Sequence, residues 1–323
     1  MSVRGTPGTR RRRRVQAPWV TGAQWCCVGV PAAARGQPVL EFLCQRFEHI
    51  ERQEWLRRFA QAQVRDVQGQ PLQPAQPLAG GGHVYYQRAV DDELPVPFEV
   101  SVLHGDADLL VVDKPHFLTV APAGRHVQQT VLQRLRQQLA QQAPAQAAAL
   151  APLHRLDKDT AGLLLLSVNP ASRDAYHGLF RDQGIDKEYE AVARWDARFA
   201  TAQPYCHRSR LEPGGARFFT MQEVPGEPNS QTLLHIVARA GDWALYRLRP
   251  LGGRKHQLRV HMAALGVPIR NDAFYPRIDD PPPGDFSRPL QLLARTLRFT
   301  DPISGQLRCF HSQQTLQWPP PDH

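Results

Sequence analysis

The chain has 323 residues, 42% of them hydrophobic and 21% charged, enough to bury a sizeable core in one large domain and one small one. Lys and Arg outnumber Asp and Glu by 39 to 30, and the isoelectric point is about 9.7. That balance favours a polyanionic partner such as RNA and says nothing about fold.

The five Cys form no C-x-x-C pair, the 13 His form no H-x-x-x-H pair, and no apolar run approaches 18 residues. This argues against a local metal framework, a membrane span and a secretory leader, and for a reducing, cytoplasmic setting. Residues 1–38 are rich in Gly, Pro, Thr and Arg, and Arg10 to Arg14 form an unbroken run. Like charges this dense repel one another, so the segment is expected to be disordered. An RNA-binding arm, a dispensable tail and a start placed upstream of the true one all fit it. A transit peptide fits poorly, because Pro7, Gly8, Pro18 and Pro31 interrupt any amphipathic helix. Residues 39–90 are expected to form a small α/β unit. Val39, Leu40, Leu43, Phe47 and Ile50 recur at helical spacing, and Trp55, Leu56 and Phe59 do so in a second helix carrying Arg52, Arg57 and Arg58. Short strands follow near 64–67 and 84–86, and the acidic, proline-containing residues 91–97 read as a linker.

A large domain is expected over 98–316, with 317–323 as a tail. Leu109 to Val112 read as a buried strand ending in Asp113-Lys114-Pro115, residues 129–140 as a helix, and 137–150 as a surface extension broken by Pro144. His154-Arg155-Leu156-Asp157-Lys158-Asp159-Thr160 then runs into Ala161-Gly162 and four leucines. The apolar run is short and bounded, so it is a buried strand, and the polar cluster is a loop entering the core. A carboxylate there is partly desolvated and needs a cationic partner to stay ionised. Asp157 and Asp159 also fit plain turn residues at a strand entrance. Asn169-Pro170 reads as a helix start, with Ala175, Leu179 and Phe180 inward and the end near Gly184. Tyr189, Ala191 and Ala193 share one face of a strand, and further strands are expected at 233–237 and 243–248. Gly252-Gly253 permit a tight turn into a short helix whose Leu258, His261, Met262 and Leu265 pack inward, with His256 and Arg259 on another side. Arg254, Lys255, His256 and Arg259 form the best anion site outside the N-terminal run. Residues 290–299 and 307–316 read as closing strands.

Three segments in this order, His154-Arg155-Leu156-Asp157 with Thr160 and Gly162, Lys187-Glu188-Tyr189-Glu190-Ala191, and Gly253-Arg254-Lys255-His256-Gln257-Leu258-Arg259-Val260-His261, resemble the motifs of RluA-type RNA pseudouridine synthases. Asp113-Lys114-Pro115 is similar to the family's strand-ending segment, and the likeness covers roughly residues 98–316. The 39–90 unit is similar to a small ribosomal-protein-type RNA-binding domain. The resemblance implies an α+β fold: a mixed, mostly antiparallel bent sheet with flanking helices. It also implies isomerisation of uridine to pseudouridine in structured rRNA or tRNA, by a monomer with no cofactor, metal or obligate protein partner.

Asp157 would be the catalytic carboxylate, paired with Arg259, and Tyr189 would stack on the base, since a phenol is a poor base at neutral pH. Arg155 would hold the flipped-out nucleotide's place, with His154, Arg254, Lys255 and His256 beside the RNA. Leu164, Leu292 and Leu293 would wall the pocket. Five positions depart from the family pattern: Ala161 and Lys255 stand where hydroxyl residues are common, His116-Phe117 where a small residue and Gly are common, and Asn271, in Arg270-Asn271-Asp272 with Tyr275, where the Gly of a Gly-Asp-x-x-Tyr pattern is usual. Two other readings are a catalytically silent RNA-binding or ribosome-assembly protein and a nucleoside hydrolase.

Overall fold

The computed structural model describes residues 25–48, 50–87, 93–124, 126–214, 219–279 and 281–320. The chain divides into two units, residues 1–91 and 92–323. The small unit comprises β1 (Trp25–Gly29), α1 (Val39–Arg46), α2 (Arg52–Ala60), β2 (Val64–Arg65) and β3 (His83–Gln87), with strand order β1-β3-β2. Val39, Leu43, Trp55 and Val64 are fully buried at its centre. The first strand corrects the expectation of disorder through residue 38. Val28, Val30 and Ala34 supply part of this unit's core, so the chain belongs to it from Trp25 onward; residues 1–24, including the arginine run, lie outside the described residues. The basic helix is also less basic than it reads. Arg52 pairs with Glu41, and Arg57 and Arg58 both pair with Glu54.

The large unit runs β4 (Ser101–Gly105), β5 (Leu109–Lys114), α3 (Val131–Ala140), α4 (Pro144–Ala149), β6 (Ala151–Pro152), β7 (Ala161–Ser167), α5 (Arg173–Arg181), β8 (Ile185–Arg194), β9 (Tyr205–Pro213), β10 (Met221–Val224), β11 (Ser230–Ala240), β12 (Trp243–Leu251), α6 (Gln257–Ala264), β13 (Leu292–Thr300) and β14 (Leu307–His311). Its eleven strands form one mixed sheet in the order β10-β9-β11-β12-β8-β13-β7-β5-β4, with β14 on β13 and β6 on β7. Among the described pairings of these strands, only β13 with β7 is parallel. The leucine run explains itself here. Leu164 and Leu166 pack towards α3, while Leu163 and Leu165 pack towards Tyr176 of α5. A strand covered on both faces needs apolar residues at every position rather than at alternate ones.

Several boundaries differ from the sequence expectation. Residues 93–97 are not a free linker: the Glu93 carboxylate accepts the N–H groups of Val127, Gln128 and Gln129, and Val96 is buried. Asn169-Pro170 opens a turn instead of a helix, because the Asn169 side chain caps Ala171 N and reaches Asp108. The helix therefore starts at Arg173. Its buried residue is Tyr176, whose hydroxyl donates to Asp301, while Ala175 is exposed. The 317–323 segment is packed as far as it is described, with Trp318 against the cluster of Ala161, Val192, Leu293 and Leu316. The hairpin β9–β10 carries no clear sequence signal, because its half-exposed strands lack a clean apolar alternation. No helix among the described residues is long and apolar enough to cross a membrane.

The one parallel pairing brings β7 and β13 very close. Gly162 has φ +108°, and a Cβ added there would sit 2.3 Å from the Ala294 carbonyl oxygen and 2.7 Å from its nitrogen. Neither atom can move without breaking the register Ala294↔Gly162. Gly162→Ala is expected to destabilise the large unit by about 3 kcal/mol or more in a denaturant melt, whereas Gly252→Ala, with nothing within 4 Å of its added Cβ, should cost much less.

Candidate active site

The loop carrying Asp157 is pinned by three consecutive carbonyls. The Asp157 carbonyl accepts Thr160 N–H at 3.2 Å, that of Lys158 accepts Lys114 Nζ at 2.9 Å, and that of Asp159 faces His116 Nδ1 at 2.7 Å. Lys114 is wholly buried and donates its other protons to the Pro115 and Leu118 carbonyls. Burial pulls its ammonium down to about 7, against the opposing charges of Asp159 and Asp157. A carbonyl partner requires His116 to carry its proton on Nδ1, and burial pushes this ring down to about 4. The Asp113-Lys114-Pro115-His116 segment is thus the clamp on the acid-bearing loop.

Asp157 projects into a cavity of about 270 Å³ bordered by Tyr189, Leu156, Phe180, Lys187, Leu258 and the Gly252–Gly253 turn. Its Oδ2 lies 4.0 Å from both Arg259 Nη1 and His256 Nε2, and its Oδ1 lies 3.7 Å from Arg155 Nη2. These are ion-pair separations, longer than hydrogen bonds. The family resemblance pairs Arg259 with Asp157; its close partner is instead Asp272, which accepts Arg259 Nε at 2.8 Å and Nη2 at 2.6 Å. Both side chains of that pair are 1% exposed. Asp272 in turn accepts the N–H groups of Phe274 and Tyr275. Burial alone would lower the Arg259 pKa, but the hydrogen bonds and charge of Asp272, with Asp157 and Asp159 behind, raise it beyond its ordinary value. The guanidinium is a permanent, immobile cation with one edge turned to Asp157.

The same short segment holds His256. The residue has φ +55° at the start of α6, and its Nδ1 lies 2.8 Å from the Tyr275 hydroxyl, which also meets Met221 N–H. Burial pushes His256 down to about 4 despite the nearby Asp157 charge. On β8, Tyr189 lies between Leu248 and Ala294 in register. Burial, then the negative charge of Asp157, raises its phenol well above its usual range, which disfavours a phenolate base and suits an apolar stacking surface. Lys187 donates to the Gly252 carbonyl and so ties this strand to the turn before α6.

His154, Arg155, Arg254 and Leu292 border the cavity with Asp157, Tyr189, His256 and Arg259. His154 is a framework residue: Nε2 accepts Leu165 N–H at 3.0 Å, and the ring stacks on Phe180 at 4.6 Å. Arg155 and Arg254 are exposed at the rim. Lys255 donates to the Phe219 carbonyl at 2.5 Å, within electrostatic range of Arg155 and Asp157. Two expected wall residues are elsewhere. Leu164 packs towards α3. Leu293, one residue along the strand from Leu292, points to the other face and joins Val192. Asp272, Tyr275, Lys187 and Phe180 were not assigned roles from sequence. Asp272 is 13 residues beyond Arg259, outside any helical repeat, so no local spacing links the two.

Two departures from the family pattern fall at left-handed positions. Asn271 has φ +63° and Phe117 φ +65°. Asn is among the residues that tolerate this conformation, and its side chain donates to the Pro289 carbonyl. Phe117 is packed against Phe98 and Phe286.

A family model described as RNA pseudouridylate synthase matches residues 108–264. A Synechocystis protein described as an uncharacterized RNA pseudouridine synthase is 34% identical over 242 residues, covering 73% of this chain and 79% of that protein. Ribosomal large subunit pseudouridine synthase C of Salmonella typhimurium is 28% identical over 297 residues, 87% of this chain and 90% of that one. The solved structure of human RNA pseudouridylate synthase domain containing 1 matches with a TM-score of 0.52 at 25% identity, covering 69% of this chain and 86% of that one. The chain belongs to the RluA-type RNA pseudouridine synthase family, and it is an enzyme that isomerises uridine in RNA to pseudouridine. The mixed, mostly antiparallel α+β fold expected from the motifs is borne out.

Asp272→Asn should lower kcat about 100-fold by freeing Arg259, and should also lower the melting temperature, since breaking a buried ion pair costs about 3–5 kcal/mol. RNA affinity should change little. For His154, burial lowers the pKa from 6.5 to about 4. The unfolded chain therefore takes up the proton first, and this histidine's contribution to stability is lost as pH falls from about 6.5 to about 4. Nitrogen-15 NMR should show a neutral ring protonated on Nδ1 at pH 6, with no titration near 6.5 in the folded protein.

Proposed function

We propose that Asp157 is the catalytic carboxylate and acts on a uridine flipped out of structured RNA, in large-subunit rRNA or tRNA. The observation that carries this reading is the position of Asp157 in the cavity, facing the locked Arg259 guanidinium and close enough to Tyr189 to raise its pKa. In the reaction the C1′–N1 bond breaks, the uracil turns, C5 bonds to C1′, and the C5 proton is lost while N1 gains one. A carboxylate supplies either a nucleophile for C1′ or a base for a sugar proton. Arg259 stabilises negative charge at Asp157 whichever role it takes. Tyr189 gives the base a flat apolar surface, and Phe180, Leu156, Leu258 and Leu292 complete a dry wall. Arg155 and Arg254 at the rim meet phosphates and fill the gap left by the flipped nucleotide.

The rRNA reading draws on the named specificity of the Salmonella relative, and the tRNA reading on a yeast mitochondrial tRNA pseudouridine(32) synthase that is 29% identical over 179 residues. The enzyme works as a single chain in the cytoplasm, without a cofactor. Asp157→Ala should cut tritium release from RNA labelled at uridine C5 by about 10⁴-fold or more, while RNA binding in a filter assay stays within about twofold because phosphate contacts dominate affinity. Retained activity in this variant would overturn the assignment of Asp157. A wild type that binds rRNA and tRNA but releases no tritium would point to a silent RNA-binding role.

A further inference from the structure

Away from the catalytic cavity, His207 on β9, Glu223 on β10 and His261 on α6 bring three metal-ligating groups within 4.8 Å of one another. Their sequence separations match no local motif, so only the fold reveals them. His261 is buried, and its Nδ1 lies 2.9 Å from Thr232 Oγ1. That contact fixes the ring and turns Nε2 towards the Ser209 and Ser230 hydroxyls, 3.1 and 3.0 Å away. His207 Nε2 meets Glu223 Oε1 at 2.7 Å, and the two imidazoles stand edge to face at 4.8 Å. His207 and Glu223 retain 17% and 27% side-chain exposure, which leaves an entry path and room to adjust.

We propose that His207, Glu223 and His261 form a binding site for one divalent first-row transition metal, represented by Zn²⁺. Two imidazoles and a carboxylate are an established Zn²⁺ donor set, with bonds of about 2.0–2.2 Å. Tetrahedral bonds of that length place donor atoms about 3.3 Å apart, so loading widens the His207–Glu223 contact slightly and draws His261 Nε2 inward. Water or a serine hydroxyl takes the fourth position. Mg²⁺ and Ca²⁺, which favour all-oxygen sets, do not fit. Thr232 is the outer partner that orients a ligating histidine. The ion has no part in uridine chemistry. It pins the β9–β10 hairpin to the helix that carries Arg259, and so stabilises the fold by mass action.

The test titrates Zn²⁺ into chelator-stripped full-length protein against a chromophoric indicator, with melting followed in parallel. One equivalent should bind with a dissociation constant in the micromolar range or below, and the melting temperature should rise with Zn²⁺. His207→Ala and Glu223→Gln should lose both effects while their metal-free circular dichroism matches the wild type. Thr232→Val should weaken binding about tenfold. Cys309→Ser with His311→Ala, which removes the exposed pair 3.5 Å apart, should change nothing. Co²⁺ should give intense four-coordinate visible bands in the wild type and none in His207→Ala or Glu223→Gln. No stoichiometric binding by the wild type, or unchanged binding by His207→Ala and Glu223→Gln, would overturn the site.

Discussion

The interaction on which the site depends is the buried pair Arg259–Asp272. Removing two charges from water is costly, and the cost is offset only when every lone pair and proton is well placed. Here Asp272 takes two guanidinium nitrogens and two backbone N–H groups. The pair is neutral as a unit but leaves Arg259 Nη1 facing Asp157 at 4.0 Å. If Asp157 is the catalytic carboxylate, as proposed, a longer, mobile cation in the same place would have to be ordered each time charge shifted on it. A guanidinium already locked by a second acid needs no such reorganisation. The segment that supplies Asp272 also supplies Tyr275 to His256, so one short loop sets two of the groups around the carboxylate.

The other half of the arrangement is the Asp157 loop. Its carbonyls are held from below by Lys114 and His116, both on the segment that ends β5. Gly162 then lets β13 approach β7, and β13 carries Leu292 to the cavity wall and Ala294 to the side of Tyr189. Backbone clamps, a close strand contact and a buried ion pair thus bring acid, cation and aromatic surface together from segments a hundred residues apart.

Much of this was legible in sequence because the signals were local. An unbroken leucine run marks a strand buried on both faces, and a polar cluster abutting it marks a loop entering the core. Tyr189 and Arg259 were found through motifs whose residues are adjacent. What was missed is non-local. Asp272 completes Arg259 from beyond the helix, and nothing in the spacing of the two reports it. Leu293 was misassigned because two neighbouring strand residues were given one face. The strand at Trp25 was hidden by the Gly, Pro, Thr and Arg content of the segment around it, and β9–β10 by its half-exposed pattern. The Asn271 departure proved compatible with the site because Asn adopts the left-handed backbone that Gly would otherwise supply.

If Arg259 acts on Asp157 only as positioned by Asp272, the two residues form one functional unit. The direct measurement is a double-mutant cycle in kcat for tritium release, with Arg259→Lys, Asp272→Asn and the double variant, each normalised to folded protein. A double variant no slower than the worse single variant is the expected result. Losses that multiply in full would show that Arg259 and Asp272 act independently, and would contradict the central role given to their pair.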